Sequence, residues 1–128
     1  MIRVVAMLVA LAGPAAAQGM GGFTPVSPAL WPQGVAPHPV ALLEPLYREH
    51  PERFEGRPTL RITMRRDSAP NRLVMDLELG GLLDDSIEAR GYRAVVERGE
   101  RGWIVVALGT RQRCAREARR AWTTRPCS

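Results

Sequence analysis

Residues 59–79 read TLRITMRRDSAPNRLVMDLEL, and the period of this stretch decides the fold. Leu60, Ile62 and Met64 alternate with Arg61, Thr63 and Arg65, the two-residue repeat of a strand with one buried face. Asp67, Ser68, Ala69, Pro70 and Asn71 supply turn chemistry. Leu73, Met75, Leu77 and Leu79 then alternate with Val74, Asp76 and Glu78 on the way back. The stretch predicts a hairpin of strands Thr59–Arg65 and Leu73–Leu79, whose apolar face must be covered by another element.

Working outward, Gly80-Gly81 closes the hairpin and Leu82–Ala89 reads as a connector holding Asp84, Asp85 and Glu88. Tyr92–Arg98 predicts a third strand, Gly99–Gly102 a short turn and Trp103–Leu108 a fourth strand. On the N-terminal side, PVALLEPLYREHPERFEG from Pro39 sets Leu42, Leu43, Leu46 and Tyr47 at helical spacing. Pro45 would cost about 3 kcal/mol in a helix interior. A kinked helix is therefore expected, its second piece opening near Pro45 as a first-turn proline and halted by Pro51. The expected class is α+β: an irregular N-terminal arm and a kinked helix packed on a four-stranded antiparallel meander, with a disulfide-clamped C-terminal lobe. Cystatin-like and NTF2-like sheets are a comparison of layout that carries no function.

The first residues, MIRVVAMLVALAGPAAAQ, have the anatomy of a secretory signal: Arg3, an apolar run from Val4 to Leu11, a Gly13-Pro14 break and small residues before a cut after Ala17. The apolar run is too short for a membrane span, which takes about 20 residues. Residues 1–17 are thus expected to be removed, residues 18–37 to form a Gly/Pro-rich arm and residues 38–128 a single α+β domain, periplasmic or secreted. No cysteine adjoins the cleavage point, so no lipid anchor is expected. Phe23, Val26, Leu30 and Trp31 make the arm too apolar for a solvating linker; they pack across the domain or form an exposed docking segment.

The chain is basic, with a formal charge of +5, and every basic residue other than its two histidines is arginine. Lacking lysine, it has no Schiff-base or lysine general-base chemistry. In an exported chain the two cysteines, Cys114 and Cys127, predict one disulfide; no His or third Cys accompanies them as a metal or redox set. Positive charge gathers in the same tail, where Arg111, Arg113, Arg116, Arg119, Arg120 and Arg125 face one acid, Glu117. Cys114, Ala118, Ala121 and Trp122 recur at helical spacing, predicting a short helix that shows its arginines to solvent. Arg111, Arg113, Arg116, Arg119 and Arg120 are the anion-binding candidates, because guanidinium forks match phosphate and carboxylate geometry. A solvated face that keeps the protein soluble explains the same charges.

With export expected, the anions in reach are envelope components, phosphorylated lipid head groups, lipopolysaccharide or an acidic protein, rather than a specific nucleic acid. Asp84, Asp85 and Glu88 suggest paired carboxylates of a small hydrolase, or a capping box that opens one helical turn. His38 and His50 each precede a proline and have no metal-ligand spacing. No nucleophile has a base and an orienting partner within a recognisable motif, so a non-enzymatic module is the leading expectation, the hydrolase its alternative, and neither metal nor cofactor is expected.

The string DDSIEARGYRAVVERGERGWIVVALGTRQRC, followed by Trp122 and Pro126-Cys127, resembles small uncharacterised secreted bacterial proteins. They share a DDSV-type turn, an early aromatic in the next strand, a tryptophan-led last strand and an RC…W…PC tail. The resemblance covers Asp84–Cys127 and implies export, a disulfide and a compact last lobe without an activity. Their tail often carries a Gly-Arg-Gly-His stretch where this chain reads AREARRA, so no role of that histidine transfers.

Overall fold

The computed structural model describes residues 19–53 and 55–128, so the expected signal segment, residues 1–17, lies outside the described residues. The molecule is built mostly of antiparallel sheet with few helical residues, which is compatible with the expected α+β class. Its strands are β1 (Thr24–Pro25), β2 (Thr59–Arg66), β3 (Arg72–Gly80), β4 (Ile87–Gly99), β5 (Gly102–Cys114) and β6 (Trp122–Thr123). Their order in space is β1-β5-β4-β3-β2, with β6 also on β5, and every pairing is antiparallel. Strands β2 to β5 follow one another as hairpins. Between β2 and β3 the turn closes at Asn71, whose φ of 60° is the left-handed conformation that Asn tolerates better than most residues.

Period-two alternation divides the sheet into two unlike faces. On one, Leu73, Met75, Leu77 and Leu79 of β3 lie beside Tyr92, Ala94 and Val96 of β4 and Val105 and Leu108 of β5. Leu42 and Leu43 close this face, with Ala36, Val26, Trp31, Leu46 and Tyr47 around them. Met75, Leu77, Val96 and Leu43 lose essentially all exposure, each contributing about 1.5–3 kcal/mol by leaving water. The second face carries Asp76, Glu78, Arg93, Arg111 and Arg113, with only Val74, Val95 and Ala107 as a small apolar cluster.

The helical cover is smaller than the expected kinked helix. Pro39–Leu43 is a 3-10 helix and α1 (Glu44–Tyr47) is one α turn. A proline stands in the first turn of each, where its missing N–H costs little, and the helical backbone passes directly from Leu43 into Glu44. The arm supplies β1 and a 3-10 turn at Pro28–Leu30. Phe23 is buried and Trp31 donates its indole N–H to the Val26 carbonyl at 2.8 Å, whereas Leu30 stays 72% exposed.

Three local expectations are corrected. No helix spans Cys114 to Trp122: β5 runs on to Cys114, Trp122 and Thr123 pair with Arg113 and Gln112 as β6, and Ala118 and Ala121 are exposed. Strand pairing and the disulfide draw the segment back along β5, which overrides the helix propensity of its Ala and Arg residues. No capping box forms at Asp85–Glu88 either. Asp84 accepts hydrogen bonds from the N–H groups of Ser86 and Ile87 in a side-chain turn, and Glu88 lies within β4. Finally, β4 and β5 are each 13 residues long, well beyond the expected Tyr92–Arg98 and Trp103–Leu108.

Candidate functional site

The tail arginines form two groups that β5 separates. Arg111 and Arg113 stand two residues apart on the strand and point to the polar face. There the alternation places Glu78 and Asp76 of β3 and Arg93 of β4 within reach. Arg93 makes a two-pronged pair with Asp76, Nε to Oδ1 at 2.7 Å and Nη2 to Oδ2 at 2.8 Å. Arg111 lies 3.7 Å from Glu78, and Arg113 Nε meets Glu88 at 2.5 Å. A β-bulge between Ile87 and Ala89 inserts Glu88 into β4 as an extra residue, which re-aims its carboxylate onto Arg113 and Arg120.

Two aromatic rings arrive from opposite ends of the chain and slot between these guanidinium groups. Phe23 of the arm lies under Arg93 at 4.6 Å and Arg111 at 4.5 Å, while Trp122 of β6 lies under Arg111 at 4.5 Å and Arg113 at 5.0 Å. The result is an unbroken stack, Arg93–Phe23–Arg111–Trp122–Arg113. Ring faces carry negative potential, so each contact attracts the cation by about 0.5–2 kcal/mol according to its desolvation. Two glycines make room for it. A Cβ on Gly91 would stand 3.2 Å from Arg111 Cγ and 3.3 Å from Trp122 Cζ3; one on Gly109 would stand 2.8 Å from Phe23 Cβ.

Arg111 at the centre is the most constrained group. Its Nε is shut away from solvent with no hydrogen-bond partner, the two rings lying against its flat faces instead. Burial pushes its pKa down from the ordinary arginine value, with Asp76 and Glu78 opposing that shift. Arg93 moves the other way: its hydrogen bonds to Asp76 raise its pKa against the effect of burial. These arginines are structural members of the sheet, each tied to a carboxylate.

The second group sits on the loop that the disulfide closes. Cys114 and Cys127 are bonded at 2.01 Å with their Cα atoms 5.3 Å apart. Between them, Arg116 and Arg119 are exposed and have no carboxylate within ion-pair distance among the described residues. Arg120 pairs with Glu88 at 3.3 Å while its side chain stays 68% exposed. Arg125 is exposed and leans on the Thr123 hydroxyl. Of the five anion-binding candidates, Arg111 and Arg113 are thus spent inside the molecule, and Arg116, Arg119 and Arg120 face outward.

The three carboxylates of the acidic connector have different surroundings. Hydrogen bonds from the backbone of Ser86 and Ile87, then from the Ser86 hydroxyl, hold the Asp84 carboxyl below the usual carboxylate range. Glu88 serves two arginines, which leaves Asp85 alone in solvent. His50 Nε2 contacts the Thr59 carbonyl at 2.9 Å, and His38 lies exposed before Pro39. A cleft of about 510 Å³ between residues 45–53 and 79–84 is lined by Arg48, Arg90 and Tyr92 among others, with acids interspersed. Among the described residues no cluster of three or more His, Cys, Asp or Glu has the geometry to hold a metal ion, and none of the helices is long and apolar enough to cross a membrane.

Sequence reasoning places charge in the tail but misses Phe23, Arg93 and Trp122 as parts of one stack, and Asp76 and Glu78 as its ion-pair partners. The available signal is the pair Gly91 and Gly109, small residues inside otherwise regular strands, which mark a close approach by something bulky. Comparison with known proteins finds no matching family model, no matching curated protein and no matching solved structure.

Proposed function

We propose that this chain is an exported, non-enzymatic binding or structural module of the bacterial cell envelope that contacts an anionic partner through its Arg-rich C-terminal lobe. The division of the arginines carries the reading. Arg93, Arg111 and Arg113 are neutralised by Asp76, Glu78 and Glu88, while Arg116, Arg119 and much of Arg120 project from a loop held at both ends by the disulfide. A clamped loop presents its guanidinium groups with less ordering cost than a free tail would. Export is supported by the signal-like residues 1–17 and by the disulfide, a bond that persists in oxidising compartments. The resemblance of Asp84–Cys127 to small secreted bacterial proteins points the same way. The layout comparison with cystatin-like and NTF2-like sheets contributes nothing to this reading.

The alternative, a small envelope hydrolase using Asp84, Asp85 and Glu88, loses ground because two of those carboxylates are occupied by the turn and by arginines. Vesicle co-sedimentation tests the docking reading. The oxidised protein should bind phosphatidylglycerol vesicles and release them as salt rises, because exposed charges are screened. Arg116→Glu with Arg119→Glu should abolish capture, whereas the same charge change at Arg98 and Arg101, at the far end of the β4–β5 hairpin, should leave most of it. Equal losses from both double variants would refute a localised surface.

A further inference from the structure

The two ends of the sheet are finished differently. Along the outer edge of β5, β1 pairs at Gly109 and Thr110, β6 pairs at Gln112 and Arg113, Val26 N–H bonds to Leu108, and Ala36 bridges Trp103. Along the outer edge of β2 nothing pairs among the described residues, although β2 is eight residues long. The Asp67 N–H donates inward to the Arg72 carbonyl, so residues 65, 63 and 61 also face β3, and the N–H and C=O groups of Leu60, Ile62 and Met64 point outward. Leu60 and Met64 remain 44% and 46% exposed on the apolar face, beyond the reach of the helical cover.

We infer that β2 pairs with β2 of a second copy, antiparallel about a two-fold axis at Ile62, to make one sheet that runs through both molecules. The side-chain register favours this axis over its neighbours. Centred on Ile62, Leu60 falls opposite Met64 of the second copy, Ile62 opposite itself, Arg61 opposite Thr63 and Thr59 opposite Arg65. Centred on Arg61, two arginines meet directly; centred on Thr63, Arg61 meets Arg65. Directly opposed like charges are unfavourable and apolar cross-strand pairs favourable. The three outward residues would exchange about six backbone hydrogen bonds with the second copy. Pro58, which has no N–H, falls opposite Arg66 and ends the ladder. Because the β5 edge is already covered, the contact consumes the open edge and closes at two copies instead of growing into a fibre.

Arg61 and Arg65 of each copy still sit diagonally across the polar side of the junction, so screening by salt should strengthen the dimer. Anion docking by the C-terminal lobe weakens with salt, so the two readings fail separately. Sedimentation of the oxidised protein across a concentration series should show a monomer–dimer equilibrium that tightens at high salt. Leu60→Arg with Met64→Arg, both at exposed positions, should weaken it about tenfold or more by opposing four new like charges. Ile62→Cys should cross-link two copies, because directly opposite residues lie about 5.5 Å apart, within disulfide reach. Thr63→Cys, whose opposite is Arg61, should not. A protein that is monomeric at every concentration and salt, an undiminished dimer in the double-arginine variant, or equal cross-linking at the two cysteine positions would overturn the inference.

Discussion

The stack gives a sharp energetic test at its centre. Arg111 lies 4.5 Å from the Trp122 ring, well inside the distance at which a guanidinium feels the ring's field, and its side chain is only 20% exposed. That places the contact between exposed and fully desolvated examples, worth about 1 kcal/mol. Single substitutions would not isolate it. Arg111→Met also releases a buried, unpartnered Nε, and Trp122→Ala also removes apolar burial and disturbs β6. A double-mutant cycle of the two cancels those side effects. Urea unfolding of the oxidised protein, analysed by linear extrapolation, should return a coupling of about 1 kcal/mol for Arg111 with Trp122. The cycle of Arg93→Met with Trp122→Ala is the control, since Arg93 stacks on Phe23 and not on Trp122; its coupling should lie within about 0.5 kcal/mol of zero. Indistinguishable couplings in the two cycles would refute the stack as an energetic unit and reduce it to a coincidence of packing.

Two further outcomes follow from the lobe and the connector. Reducing Cys114–Cys127 releases a loop whose closure is worth about 3 kcal/mol, so the urea midpoint should fall by that equivalent and the Trp122 environment should become more solvent-exposed by fluorescence. Asp84 has a folded pKa below its unfolded value, so its contribution is fully present above about pH 4 and is lost as pH falls through the folded value. Asp84→Ala lacks that contribution at every pH, so its melting temperature should fall less steeply than the parent's as pH drops below about 4; parallel curves would contradict the assignment.

The hairpin core was legible because water imposes its period on the sequence: Leu73, Met75, Leu77 and Leu79 alternate and are the residues that leave solvent. The ends of β4 and β5 escaped for the same reason in reverse. Thr110, Arg111, Gln112 and Arg113 face partners on both sides of the sheet without being apolar, so no periodicity betrays the strand. The tail helix was a case of local propensity against tertiary pairing, and pairing with β5 prevailed. The site was legible only as charge. Which arginines are free depends on Asp76, Glu78 and Glu88, and the last reaches Arg113 through a bulge that no spacing rule foretells. The β2 edge, by contrast, was written plainly in the alternation, though its exposure emerges only from strand order.

Phe23 and Trp122 enter the stack from opposite termini, and their contacts span very different lengths of chain. Strands β2 to β5 are joined by short turns, so their contacts are near in sequence and inexpensive to close. The arm is different: Arg93 bonds to the Gly19 carbonyl across 74 residues, and β1 reaches β5 over a still longer separation. Loop-closure entropy predicts that such contacts form after the hairpins. The arm and the two-residue β6 each add few backbone hydrogen bonds at the rim of the sheet, which predicts that their amides exchange before those of the central strands. Hydrogen exchange should reach β6 and the arm long before the centre of β3.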